Sequence, residues 1–182
     1  VTPSIFYKEL SLDEGFAIAD LAKNSRIVAG REISLCSGIE LFLSLRERQP
    51  IKCWKCHCVA DRWISTRHPN DLRAKPCLNL FATRTLKPTK RHPNPTPMLV
   101  MMTRDHIIPK SLGGVDSVEN LRPGCDICNG RRSSNMNKAD TKFMLEHPEL
   151  VNEERRLKGL LAAARTTFEH QTAVVRRQGD QK

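Results

Sequence analysis

The chain has 182 residues, enough for one domain of ordinary size or a small domain with extensions. With 39% hydrophobic and 27% charged residues it reads as a soluble globular protein, and no run approaches the eighteen or so apolar residues of a membrane span. The formal net charge of +10 and pI of about 9.6 favour a polyanionic partner, most often nucleic acid.

That excess is local. Residues 1–49 carry six basic and seven acidic side chains, so all of it lies in 50–182. Residues 1–30 lack a basic start followed by an apolar core. No export signal is therefore expected, and the expected compartment is the cytoplasm of a bacterium or a phage-infected host. Val1 stands where Met is usual; a GTG start codon read literally and a fragment both give that, and N-terminal peptide sequencing separates them.

Residues 11–48 are predicted to be helical. Ser11 with Glu14, and Ser37 with Glu40, have capping-box spacing. Leu12, Phe16 and Ala19 share a face of the first helix; Ile39, Phe42 and Leu43 share one on the second, which Gln49-Pro50 closes. Residues 51–61, "IKCWKCHCVAD", are rich in cysteine. Prolines at 69, 76, 88, 93, 95 and 97 exclude a regular helix over 62–97, which reads as an irregular stretch. It contains "RHPN" twice, at 67–70 and 91–94, too short a copy for a structural repeat. Residues 98–104, "MLVMMTR", predict a short buried strand, Gly113-Gly114 a turn, and 118–122, "VENLR", a second short strand. Helices are predicted from near Asp126 to about Ser134 and from Lys138 to Glu146, before Pro148. A longer one is predicted over 152–177, with Leu157, Leu161, Ala164 and Phe168 on one face.

Seven cysteines without an export signal argue for metal binding over a disulfide framework. Cys53 and Cys56 form one C-x-x-C, and Cys125 and Cys128 a second. Two tight turns of this kind supply the four thiolates that zinc prefers in tetrahedral geometry, so a structural Zn2+ is expected. His57 and Cys58 lie beside the first pair, and either can replace one of its thiols. Matched spacing favours Cys53, Cys56, Cys125 and Cys128, with Cys36 and Cys77 unligated. Such a staple suits a small core with few aromatics.

Three pieces follow in order: "RDHIIPKSLGG" (104–114), "ENLRP" (119–123) and "CDICNGRRSS" (125–134). Phosphodiester hydrolysis needs a nucleophilic water, a base for its proton and positive charge for the transition state. His106 offers an imidazole for the base. Asp105 and Asn129 offer a carboxylate and an amide oxygen, which suit a hard divalent cation. Successive strand residues point to opposite sides, so Asp105 and His106 can take different partners.

This order of motifs resembles the HNH endonuclease family, whose catalytic unit is a ββα-metal finger. The match covers roughly 98–134, and Cys53 with Cys56 extends it. The resemblance implies an α+β fold: a small ββα-metal finger stapled by a four-cysteine zinc site, with helical N- and C-terminal extensions. The expected layout is a helical extension over 1–50, a zinc-stapled nuclease domain over 51–137 with a Pro-rich basic insertion at about 62–97, and C-terminal helices over 138–182. The implied activity is metal-dependent DNA cleavage leaving a 3′-hydroxyl and a 5′-phosphate. His106 would be the general base, Asp105 and Asn129 would hold one metal, and Asn120 would hold the loop that orients the histidine. Asn stands at 129, where the family name implies His; two oxygen donors favour Mg2+ or Mn2+ over zinc. Phage, mobile-element, restriction and genome-packaging settings all fit.

Between 84 and 110, Arg84, Lys87, Lys90, Arg91, Arg104 and Lys110 stand against Asp105 alone. With Arg131 and Arg132 these are candidate phosphate contacts, Lys110 and the Arg131/Arg132 pair foremost because they neighbour the site. The segment 84–97 is either an arm along a DNA groove or an insertion without a role. Trp54 and Trp63 either stack on bases or pack beside the cysteines. The competing reading is a non-catalytic zinc-stapled nucleic-acid-binding module, against which the complete Asp-His, Asn and Asn set speaks. A homodimer through 152–177 is a further expectation.

Overall fold

The computed structural model describes residues 5–21, 26–48, 50–67, 75–86, 96–161 and 164. Helices accompany a mainly antiparallel sheet, the α+β class expected from the sequence. The chain forms two compact units: Val1–Asp105 with Arg122–Arg131, and His106–Leu121 with Arg132–Lys182. No helix among the described residues is long and apolar enough to cross a membrane.

In the first unit, β1 (Ile5–Leu10) leads into α1 (Leu12–Asp20). Ser11 caps α1 as expected: its Oγ accepts from the Glu14 N–H at 3.2 Å, and the Glu14 carboxylate accepts from the Ser11 N–H at 2.8 Å. The chain is then extended, not helical, over 27–35. β2 (Ile27–Val28) and β3 (Arg31–Glu32) pair as a hairpin, and β4 (Ser34–Leu35) follows. Ala29 and Gly30 both take positive φ, 48° and 72°, as a tight hairpin turn requires. α2 (Ile39–Leu45) starts one residue later than Ser37 predicts. Its N-cap is Gly38, with no side-chain cap, so Glu40 falls short of the third helical position.

The stretch expected to be irregular contains the centre of the sheet. β5 (Ala60–Arg67) and β6 (Cys77–Leu86) pair antiparallel. Pro76 lies just before β6, where it breaks no ladder. β7 (Thr96–His106) and β8 (Leu121–Cys125) complete the order β1-β5-β6-β7-β8. One edge of β6 is shared, by β4 in parallel at Cys77 and Leu78 and by β7 antiparallel at Phe81–Leu86. Trp63 on β5 is fully buried, which settles its role as packing. Phe16 of α1 and Phe42 of α2 meet it edge-on, with ring centroids 5.3 and 6.2 Å away. α1 approaches so closely that a Cβ on Gly15 would lie 2.0 Å from the Trp63 ring. α3 (Asp126–Arg132) begins directly after Cys125.

The second unit is built around the loop that follows β7. Single turns of 3-10 helix at Lys110–Leu112 and Val118–Asn120 flank Gly113 and Gly114. Gly113 takes φ of 91°, and a Cβ on Gly114 would lie 1.8 Å from the Ile108 carbonyl oxygen. α4 (Lys138–Glu146) matches its predicted span, capped by Asn137 and Asp140. The chain then returns to the loop: Val115 N–H donates to Leu150 O at 3.1 Å, and Asn152 N–H to Gly113 O at 2.8 Å. Residues 153–161 are helical, with Leu157 and Leu161 more than half exposed. Apart from Ala164, the rest of the predicted 152–177 helix, Phe168 included, lies outside the described residues.

Candidate active site and metal centre

The first cysteine pair sits in a tight hairpin. Cys53 N–H donates to Cys58 O, and His57 N–H to Cys53 O, each at 3.0 Å, inside a bridge between Lys52 and Val59. His57 takes a positive φ of 60° to turn the chain. The second pair spans the β8–α3 junction, Cys125 ending the strand and Cys128 lying in the helix. The sulfurs of Cys53, Cys56, Cys125 and Cys128 all lie within 4.8 Å of one another. Those of Cys56 and Cys125 are 3.7 Å apart, near the ~3.8 Å edge of a tetrahedron with Zn–S bonds of about 2.3 Å. The set expected from spacing is therefore the set the fold gathers, and it can hold a metal ion such as zinc. Cys58 stands beside it, Sγ 3.5 Å from Cys56 Sγ.

Burial pushes the Cys125 and Cys128 thiols up. Burial acts the same way on Cys56, but hydrogen bonds from Cys58, Cys53 and Cys128 outweigh it and bring that thiol down to about 7. Protein groups thus ease ionisation at Cys56 and oppose it at Cys125 and Cys128; a divalent cation is the kind of group that would offset the burial of those two thiols.

Asp105 is 2% exposed. Arg122 on β8 donates its Nε–H to Asp105 Oδ2 at 3.0 Å. The Arg122 guanidinium lies 3.7 Å from the centroid of the Trp54 ring. Trp54 is held in turn by its backbone N–H, which donates to Pro123 O at 2.9 Å. Gly124 lies alongside this stack: a Cβ there would be in van der Waals contact, 3.4 Å, with Asp105 Cβ and the Trp54 ring. Trp54 thus packs beside the cysteines, under Arg122. Asn129 projects from α3 to the same strand, donating Nδ2–H to Thr103 Oγ1 at 3.1 Å and to Arg104 O at 3.2 Å. Its amide nitrogen is fastened just before Asp105, and its Oδ1 takes no part in those two bonds.

In the second unit, His106 Nε2 lies 2.8 Å from Asp116 Oδ1. Lys110 Nζ bonds the other oxygen of the same carboxylate. Asn120, fully buried, clamps the loop: its Oδ1 accepts from Ile108 N–H at 2.8 Å, and its Nδ2 donates to Ile108 O at 3.1 Å and Val115 O at 2.9 Å. Arg132 grips the backbone from below, donating to His106 O at 2.5 Å and Ile107 O at 2.7 Å. It also donates to the buried Asp140 carboxylate at 3.0 Å.

The basic residues predicted to meet phosphates are therefore differently employed. Arg132, a candidate phosphate contact, is buried and donates to Asp140 and two backbone carbonyls. Lys110 is exposed but paired with Asp116. Arg84 lies against the cysteine sulfurs. Arg131 is exposed and Arg104 half-buried, while Lys87, Lys90 and Arg91 lie outside the described residues. Asp116, Arg122 and Asp140 have no counterpart in the sequence reading. The nearest signal for Asp116 is its position just past Gly113-Gly114, at the foot of the loop that His106 begins.

Residues 99–145 match the HNH endonuclease family. No curated protein and no solved structure matches the chain. The matched segment contains Asp105 and Asn129 of the first unit and His106 and Asn120 of the second, and an HNH-type segment implies a nucleic-acid substrate.

Proposed function

We propose that the protein is a metal-dependent DNA endonuclease of the HNH type. The observation that carries this reading is the match over 99–145, which contains Asp105, His106, Asn120 and Asn129 together. His106 is the general base. With Nε2 engaged by the Asp116 carboxylate, the ring is held in the tautomer whose basic nitrogen is Nδ1, and Nδ1 takes the proton of the attacking water. Asn120 and Arg132 hold the backbone of residues 106–108, which limits how far the imidazole can swing.

Asp105 and Asn129 are the residues that would hold the catalytic cation. A carboxylate and an amide oxygen are the hard donors that Mg2+ or Mn2+ prefers, and the Asn129 nitrogen is already tied to β7. When bound, that ion supplies positive charge to the transition state and the leaving oxygen. Arg122 shares the Asp105 carboxylate and sets a positive charge beside it. The cysteine tetrad takes zinc in a structural role.

Supercoiled plasmid with Mg2+ or Mn2+ tests the reading. The expected outcome is nicking or linearisation, reduced roughly 10²- to 10⁴-fold in His106→Ala. Equal cleavage by both proteins would remove His106 as the base. DNA binding without any cleavage would favour the non-catalytic binding module.

A further inference from the structure

Arg84 occupies an unusual position for a surface-binding arginine. Along β6, Leu78, Leu80 and Ala82 are fully buried, and side chains two apart share a face of the strand. Arg84 is the next residue on that face. It is half-buried, and a partly desolvated guanidinium is favoured beside an anion. Its Nη1 lies 3.8 Å from Cys125 Sγ and 3.7 Å from Cys128 Sγ.

A metal site of four thiolates around one divalent cation keeps a net negative charge. Cys53, Cys125 and Cys128 are buried, so water screens little of it. Hydrogen bonds to the sulfurs and a nearby cation offset that cost and fix the sulfurs in place. The Cys125 N–H serves Cys53 Sγ at 3.3 Å. Arg84 serves the two sulfurs of the other pair. Both bonds come from the one nitrogen Nη1, and arginine suits the place better than lysine because its planar guanidinium is more weakly hydrated.

We propose that Arg84 is the outer-sphere cation of the cysteine metal site, and that its N–H···S bonds to Cys125 and Cys128 determine how tightly the ion is retained. The proposal rests on the tetrad as a metal site and is independent of nuclease activity. It removes Arg84 from the candidate phosphate contacts.

The test uses the full chain, loaded with zinc and titrated with a chromophoric chelator, beside Arg84→Gln and Arg84→Lys. Arg84→Gln is expected to bind zinc about 10- to 100-fold more weakly, the usual range for losing such a partner. Arg84→Lys, which keeps the charge but is more strongly hydrated, is expected to fall between. Co2+-loaded samples supply the structural control: at saturating ion, all three proteins should show the same four-thiolate absorption. If Arg84→Gln fails that control, the Arg84→Lys comparison decides. Wild-type protein that takes up no ion overturns this proposal together with the metal reading. Wild-type uptake with unchanged affinity in both variants overturns it alone.

Discussion

Asp116 holds two partners on one carboxylate, His106 Nε2 on one oxygen and Lys110 on the other. Lys110 anchors the carboxylate, and the carboxylate orients the imidazole. The consequence is a tautomer preference, which a substitution can reverse. In Asp116→Asn the side-chain amide can donate to Nε2 and so favour the ring form whose Nδ1 carries hydrogen. Asp116→Ala only frees the ring. Single-turnover cleavage by Asp116→Asn is therefore expected to fall at least as far as that of Asp116→Ala, by roughly 10²-fold or more, with DNA affinity unchanged in both. Wild-type rates in Asp116→Asn would sink the tautomer role, because a purely local structural role tolerates the isostere.

At the scale of elements, the junction between the His106 loop and α4 depends on one buried ion pair. Arg132 and Asp140 are both nearly inaccessible, and Asp140 also completes the α4 capping box. Asp140→Ala leaves a guanidinium buried without its counter-charge, which is expected to cost about 3–5 kcal/mol. Urea denaturation measures it, and the double replacement Arg132→Met with Asp140→Leu should lose less than Asp140→Ala alone. A cost near zero for Asp140→Ala would show that water replaces the carboxylate. This pair also marks where the sequence stops being legible. The Ser11 box, the Lys138–Glu146 helix and the cysteine tetrad rest on residues close together or on matched spacing, and each forms as read. The strands at 27–35, 60–67 and 77–86 were hidden because their flanking prolines and glycines dominate local composition, whereas pairing across the sheet decides their state. Asp105 and His106 are adjacent in the chain and so stand out in the sequence. Their partners Arg122 and Asp116 lie 17 and 10 residues away. Nothing in a row of charges says whether Arg132 meets a phosphate or a buried carboxylate; only the register of folded elements does.

Over the whole molecule, the two compact units interleave along the chain, which passes between them after residues 105, 121 and 131. A boundary at 137, as motif reading suggests, cuts the second unit. It removes Asp140, the Leu150 carbonyl that accepts from Val115 and the Asn152 N–H that donates to Gly113. A chain ending at 137 is expected to lose protection of the Ile108 and Val115 amides in hydrogen exchange, while the Cys53 amide, bonded within the first unit, keeps its own. Unchanged protection at Val115 would show that 138–161 is dispensable to the loop. The cysteine tetrad has a consequence in time as well. Cys125 follows Cys56 by 69 residues, a delay of roughly 3–14 s at ordinary rates of translation. Until then the first hairpin has left the ribosome with half a metal site. An ion held by all four sulfurs can therefore be captured only late, once the second pair has emerged.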